Sequence, residues 1–297
     1  MPEQPTAATP ATAASRGERW LAAGLLTATA LAFWPVASWV TARTFAHEQL
    51  KQSFFITLLA GFWIAWEQRA SLRLRVQLER TGLACLIAAY AGVAAALLFD
   101  APLLVLAGLV AAAAGAVQVL FGARALRRAA PLLAAFGLLI VFVLLFPVLD
   151  WPLRKMAGVE SARLLQSFGL ASQLRIVADP DVRLLLLSPH GTFIVATECN
   201  GFGLISSSLL LGTIFLLYRR ASWWKFPGLL ALCLALAFVM NLLRIAAIVG
   251  LAPRFPGHYH ALHETAGLVA LYLGLGAVWL LTGWRPKPRR RHHAAAG

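Results

Sequence analysis

Apolar residues along this chain come in long runs, interrupted by short polar segments that are mostly basic. Such runs cover residues 20–40, 53–66, 81–99, 102–121, 131–149, 199–218, 226–250 and 265–284. About 20 apolar helical residues cross a bilayer, so the pattern predicts an all-α polytopic membrane protein with about eight transmembrane helices. The second run, "SFFITLLAGFWIAW", is the shortest, and a re-entrant or tilted interfacial helix is the alternative there. Residues 1–16 are rich in Ala, Thr and Pro without periodicity and read as a disordered tail. They lack the early basic region followed by an apolar core that marks a cleavable signal.

The long polar segment, 150–198, has a pattern of its own. Between 152 and 168 the apolar positions Leu153, Met156, Val159, Leu164, Leu165 and Phe168 recur at helical spacing, which predicts an amphipathic helix on the membrane surface. Beyond it, "VRLLLLSPHGTFIVAT" sets two short apolar runs around Ser188-Pro189-His190-Gly191. Pro second and Gly fourth suit a type I turn, so a small hairpin is expected to deliver the chain to residue 199. The chain is thus read as a tail (1–16), an N-terminal helical membrane region (17–149), an outer loop (150–198), a helical membrane core (199–284) and a basic tail (285–297).

Composition rules out a soluble domain: 60% of residues are hydrophobic, 13% are charged, and mean hydropathy is +0.74. The net charge of +14 would suit nucleic acid, but a DNA-binding patch occupies one soluble face, whereas these arginines punctuate apolar runs. No nucleic-acid partner is expected, and the charge reports topology instead. Short cytoplasmic loops retain Lys and Arg. With the N-terminus inside, seventeen basic residues fall on inner segments and eight on outer ones, five of the eight in the long loop. Both termini are therefore expected in the cytoplasm, in a multi-pass protein of the cytoplasmic (inner) membrane. The 150–198 loop, residues 251–264 and the start of the sixth run then face the periplasm or exterior.

That orientation brings three chemically unusual residues to one face. Cys199 opens the sixth run, in "ATECNGFGLISSS". The other two cysteines, Cys85 and Cys233, lie toward the opposite face, so Cys199 has no depth-matched disulfide partner. A helix N-terminus there would favour the reactive thiolate. The small stripe Cys199, Gly203 and Ser206 admits a second helix, and packing between the protein's own helices explains it better than a substrate groove.

Arg244 stands inside an apolar run, in "VMNLLRIAAIVG", at a cost of at least a few kcal/mol by insertion scales. Asn241 lies three residues back on the same face. A fixed guanidinium suits a developing oxyanion. Before the last run, "GHYHALHETAG" holds His258, His260, His263 and Glu264. A metal site would use the histidines three apart, but the segment begins in a Pro-Gly loop, and no metal or cofactor is expected. One neutral imidazole suffices to take a proton from a thiol and return it to a leaving amine. His258 and His260 suit a solvated loop, whereas His263 is followed at once by the apolar run.

These residues resemble the exosortase/archaeosortase family. Its pattern is Cys-Ser/Asn-Gly at the start of one span, Asn-x-x-Arg in the next, and His, an acidic residue and a nearby Gly in the last. Here it reads Cys199-Asn200-Gly201, Asn241-Leu242-Leu243-Arg244, and His263-Glu264 with Gly267. The resemblance implies a cysteine peptidase or transpeptidase that cleaves C-terminal sorting signals of exported proteins at the outer membrane face. Such signals join a short motif, Pro-Glu-Pro-like in exosortases, to a transmembrane helix and a basic tail. It also implies Cys199 as the nucleophile forming a thioester, His263 as general acid/base with His260 its rival, and Arg244 as stabiliser of the tetrahedral intermediate. Asn200, Gly201 and Asn241 would support the site. The partners would be those substrates, membrane lipid and an acyl acceptor that the sequence leaves unnamed. The alternative from another class is a membrane transporter using Arg244 as an anion site; it lacks inverted repeats, and the clustering at one face argues against it.

Overall fold

In this computed structural model the described residues are 15–67, 69, 74, 76–178, 182–189, 191–255 and 257–283. The expected disordered tail up to residue 14, the basic tail and His190 of the expected turn lie outside them. All eight apolar runs are helical: α1 (Arg16–Phe45), α2 (Glu48–Glu67), α3 (Arg80–Phe99), α4 (Pro102–Phe121), α5 (Ala123–Ser167), α6 (Phe202–Tyr218), α7 (Lys225–Leu251) and α8 (Tyr259–Gly283). Among the described residues, α1, α3, α4, α5, α7 and α8 are long and apolar enough to cross a membrane, which makes this a multi-pass membrane protein. The apolar α6 is shorter, at 17 residues, and α2 is not among the six, so six of the eight expected spans meet that measure.

The helix α5 departs most from the expected boundaries. It runs for 45 residues, ~68 Å at 1.5 Å per residue, more than twice a ~30 Å hydrocarbon core. The expected break at Asp150 and Pro152 lies within it. Arg154 bridges back to Asp150 at 2.6 Å, one turn away, which supports the helix across the polar boundary. The predicted amphipathic helix is thus the C-terminal part of α5.

The chain forms two compact units. In the first, residues 1–41 and 64–133, α3 and α4 pack with their backbones in contact. A Cβ on Gly108 would lie 2.9 Å from the Ala89 carbonyl oxygen, and one on Gly115 would lie 2.8 Å from Leu86. Small residues give membrane helices this approach, since lipid offers no hydrophobic drive between them. Ala22 of α1 joins Leu86 and Val119 in their core, and Tyr90 Oη donates to Thr29 Oγ1 at 3.2 Å.

In the second unit, residues 42–63 and 134–297, α6 is the central helix. It is buried over most of its length, its small and hydroxyl-bearing residues Ser206, Ser207, Ser208 and Thr213 included. Leu204 and Ile205 pack against Ala237 of α7 and Ala270 and Leu271 of α8. The small stripe on α6 receives α2: Gly203 faces Gln49 and Gln52, and Ser53 Oγ lies 2.6 Å from Ser206 Oγ and 3.1 Å from Ser207 Oγ. Phe142 and Phe146 of α5 meet Phe202 edge-on.

A three-stranded antiparallel meander precedes α6: β1 (Gln173–Ala178), β2 (Val182–Ser188) and β3 (Gly191–Ile194). The expected hairpin is β2–β3, closed by the pair Ser188 and Gly191. The strand β1 was not anticipated, because its period-2 pattern is only six residues long. Leu184 and Leu186 alternate inward from β2 onto Ala157, Ala162 and Leu165 of α5 and Ile245 and Val249 of α7. The buried face of this part of α5 is therefore its small side, while Met156 and Phe168 of the expected apolar stripe stay exposed. Gly158 is the reason for that choice, since a Cβ there would stand 2.7 Å from Leu174 of β1. Gly158→Val is expected to lower stability by about 1–3 kcal/mol through overpacking. Thermal unfolding in detergent should show a fall well beyond that of Gly158→Ala.

Candidate active site

The chain leaves β3 through a 3-10 turn, Thr197–Cys199, and enters α6 at Phe202. The expected start of the sixth helix at Cys199 is corrected accordingly: Cys199 precedes the helix by three residues. Gly201 caps α6 with a left-handed φ of +76°. A side chain there would be strained, and a Cβ would lie 2.8 Å from the Asn241 carboxamide, so this position requires glycine twice over.

Each neighbour of Cys199 is held. The Asn241 carboxamide, fully buried on α7, donates to the Cys199 carbonyl at 3.0 Å. One turn further, Arg244 Nη1 donates to the Glu198 carbonyl at 2.8 Å. The i, i+3 spacing of Asn241 and Arg244 thus presents two donors from one helix face to two successive carbonyls of the turn. On the other side, Gln49 of α2 donates to the Thr197 carbonyl at 3.1 Å. Asn200 is fully buried; its Oδ1 accepts from Phe202 N at 2.7 Å, and its Nδ2 donates to Asp150 Oδ1 at 2.7 Å.

On α8, His263 turns toward this loop. Its Nε2 lies 3.5 Å from Cys199 Sγ and 3.3 Å from Arg244 Nη2. A guanidinium only donates, so the second contact requires the lone pair on Nε2 and assigns the proton to Nδ1. The same lone pair faces the thiol. Gly267, one turn along α8, makes room for the arginine: a Cβ there would meet the guanidinium at 3.3–3.4 Å. His260 is placed differently, largely exposed, with Nδ1 3.5 Å from Glu264 Oε1. The histidines of this segment therefore diverge, one to the cysteine and one to its own helix surface.

The sequence-based expectation of a thiol lowered by a helix N-terminus is also corrected. Burial pushes the Cys199 thiol above its ordinary range, and the nearby Arg244 charge only partly opposes this. The first free amide of α6, that of Phe202, is taken by Asn200 and does not reach the sulfur. The thiol and the imidazole face each other at 3.5 Å, with the guanidinium held alongside.

Asp150 is the residue that sequence reasoning passed over. An acidic residue at the end of an apolar run is ordinary, and nothing in the sequence links position 150 to position 200. In the structure its carboxylate joins Arg154 to Asn200 and so ties α5 to the cysteine turn. Tyr259 was also passed over; its ring stands between Phe193 of β3 and His263.

Three outcomes are expected. Alkylation of Cys199 by iodoacetamide should accelerate about tenfold per pH unit through the neutral range, as thiolate forms. Arg244→Gln should slow it at every pH, because the opposing charge that favours thiolate is removed; mass spectrometry reads both rates. Asp150→Ala and Asn200→Ala should each destabilise the protein, and the double variant should lose about 1 kcal/mol less than their sum. Unfolding in detergent measures that coupling.

The family model for the transmembrane exosortase matches residues 39–282, a range that takes in α2 to α8 and every residue of the site. No curated protein and no solved structure shows a significant match to the chain. With the match running through nearly all of the helical chain, this multi-pass membrane protein belongs to the transmembrane exosortase family.

Proposed function

We propose that the protein is an integral-membrane cysteine peptidase or transpeptidase that cleaves C-terminal sorting signals of exported proteins. The family implies exported protein substrates in general; the finer reading is that the signal combines a Pro-Glu-Pro-like motif, a transmembrane helix and a basic tail. The observation that carries it is the convergence of Cys199, His263 and Arg244 within 3.5 Å contacts on a turn braced from α2, α5 and α7.

The chemistry follows from those contacts. Cys199 Sγ attacks the substrate carbonyl as its proton passes to His263 Nε2, which holds the free lone pair. The imidazole is then charged at Nε2 and no longer accepts from Arg244 Nη2. That N–H is released beside the reacting carbon, where a negative oxygen develops, and a guanidinium held in a dry site stabilises it. Collapse of the tetrahedral intermediate breaks the C–N bond. His263 returns its proton to the leaving amine, the substrate's transmembrane helix departs, and the acyl group remains as a thioester on Cys199. Water or an amine on an acceptor then takes the acyl group, with His263 again accepting the incoming nucleophile's proton.

The membrane assignment belongs to the same proposal. Basic residues concentrate on the segments that would be cytoplasmic, which supports a Cys199 turn at the periplasmic face of the inner membrane. A substrate anchored by its own helix would present its scissile bond at that level.

Co-expression with an exported protein carrying such a signal is the test. Cys199→Ala should abolish processing at unchanged protein level, and His263→Ala should reduce it about 10²–10⁴-fold, the usual contribution of a general acid/base. His260→Ala should process at close to the unmodified rate. Undiminished processing by Cys199→Ala overturns the nucleophile, and equal losses for the two histidine variants overturn the choice of base.

A further inference from the structure

Beside Cys199 lies an apolar pocket with the cysteine in its wall. Leu186 of β2, Val195 just beyond β3, and Ile245 and Val249 of α7 form its floor, all buried to 5% exposure or less. Phe193 and Tyr259 also line it. Among the described residues, no charged side chain lines it. Arg244 and His263, the polar neighbours of the sulfur, are not part of the lining; they contact one another, Arg244 also bonding the Glu198 carbonyl and His263 the Cys199 sulfur. The sulfur is therefore flanked by two unlike surroundings, one with the imidazole and guanidinium and one aliphatic.

We propose that this pocket seats the side chain of the substrate residue whose carbonyl carbon is attacked, and that it selects an uncharged aliphatic side chain there. The inference rests on Cys199 being the nucleophile and deepens that reading by naming what the site accepts. In a thioester the α-carbon is two bonds from Sγ, so its side chain must enter whatever space adjoins the sulfur. The polar flank is needed for the oxyanion and for proton transfer to the leaving amine, which leaves the aliphatic one. The floor is built from side chains packed among the sheet, α5 and α7. Each methylene buried there favours association about fourfold, whereas an unpaired charge is excluded by its lost hydration.

Peptidyl chloromethyl ketones test this on the full-length protein in detergent, without a known substrate. In the series acetyl-Ala-X-chloromethyl ketone, X is Ala, Val, Leu, Asp or Lys. The Cys199 sulfur bonds to the methylene carbon, chloride departs with the bonding electrons, and the thiol proton passes to His263. Modification at Cys199 is followed by mass spectrometry, with iodoacetamide as the reagent that carries no side chain. Val or Leu should react about tenfold or more faster than Ala, and about a hundredfold faster than Asp or Lys. Val249→Phe, which fills the floor, should abolish the advantage of Leu over Ala while the iodoacetamide rate holds. Ile245→Ala, which enlarges the floor, should shift preference toward a Phe ketone and serves if Val249→Phe does not fold.

Equal rates across X, or faster reaction of Asp or Lys, overturn the proposal. So does uniformly slow reaction of every ketone with normal iodoacetamide reactivity, the signature of a pocket filled by a lipid chain. The sorting function is tested separately. Normal processing by Cys199→Ala would remove that function whatever the ketones show, whereas a flat ketone series with processing lost in Cys199→Ala removes only the pocket.

Discussion

Everything at the candidate site hangs on two hydrogen bonds from one helix face to one turn. Asn241 and Arg244, three residues apart on α7, donate to the carbonyls of Cys199 and Glu198. A backbone carbonyl in an apolar setting without a donor costs about 1–3 kcal/mol. The buried Asn241 donor therefore ties the Cys199 carbonyl, and with it the cysteine, to the helix that carries the arginine. Because Arg244 also contacts His263, the same side chain sets the distance between the turn and α8.

Around that anchor, further polar contacts join the helices. The Ser53–Ser206–Ser207 contacts fasten α2 to α6, and Gln49, one turn earlier on α2, reaches the Thr197 carbonyl. Helices immersed in lipid gain little from bringing apolar faces together, so small residues and interhelical hydrogen bonds determine which faces meet. Asp150 extends the arrangement to α5, where it closes a path from Arg154 through Asn200 to the first amide of α6. The cysteine turn is thus braced by three helices before any substrate arrives.

Much of this was visible in the linear chain. The eight apolar runs are all helical, because the composition of a run over about 20 residues outweighs any local preference when the surroundings are hydrocarbon. The spacing of Asn241 and Arg244 told that both share a face. The prominence of Cys199, Arg244 and His263 came from chemistry out of place in an apolar run. The weaker readings failed where tertiary contacts overruled a local rule. The helix α5 continues past Pro152 because Asp150 finds partners in Arg154 and Asn200. Of its apolar stripe, Leu165 packs inward against the sheet while Met156 and Phe168 stay exposed.

What the sequence determined by itself was the class of protein, the membrane helices and the candidate site residues, since each follows from transfer free energies and periodicity along the chain. Only the tertiary structure decided which histidine meets the thiol, that Asp150 belongs to the site, and that burial raises the thiol instead of a helix end lowering it. Those depend on distances between residues 50 to 64 positions apart in sequence. No local pattern encodes such distances, because they are set by how whole helices and a small sheet pack together.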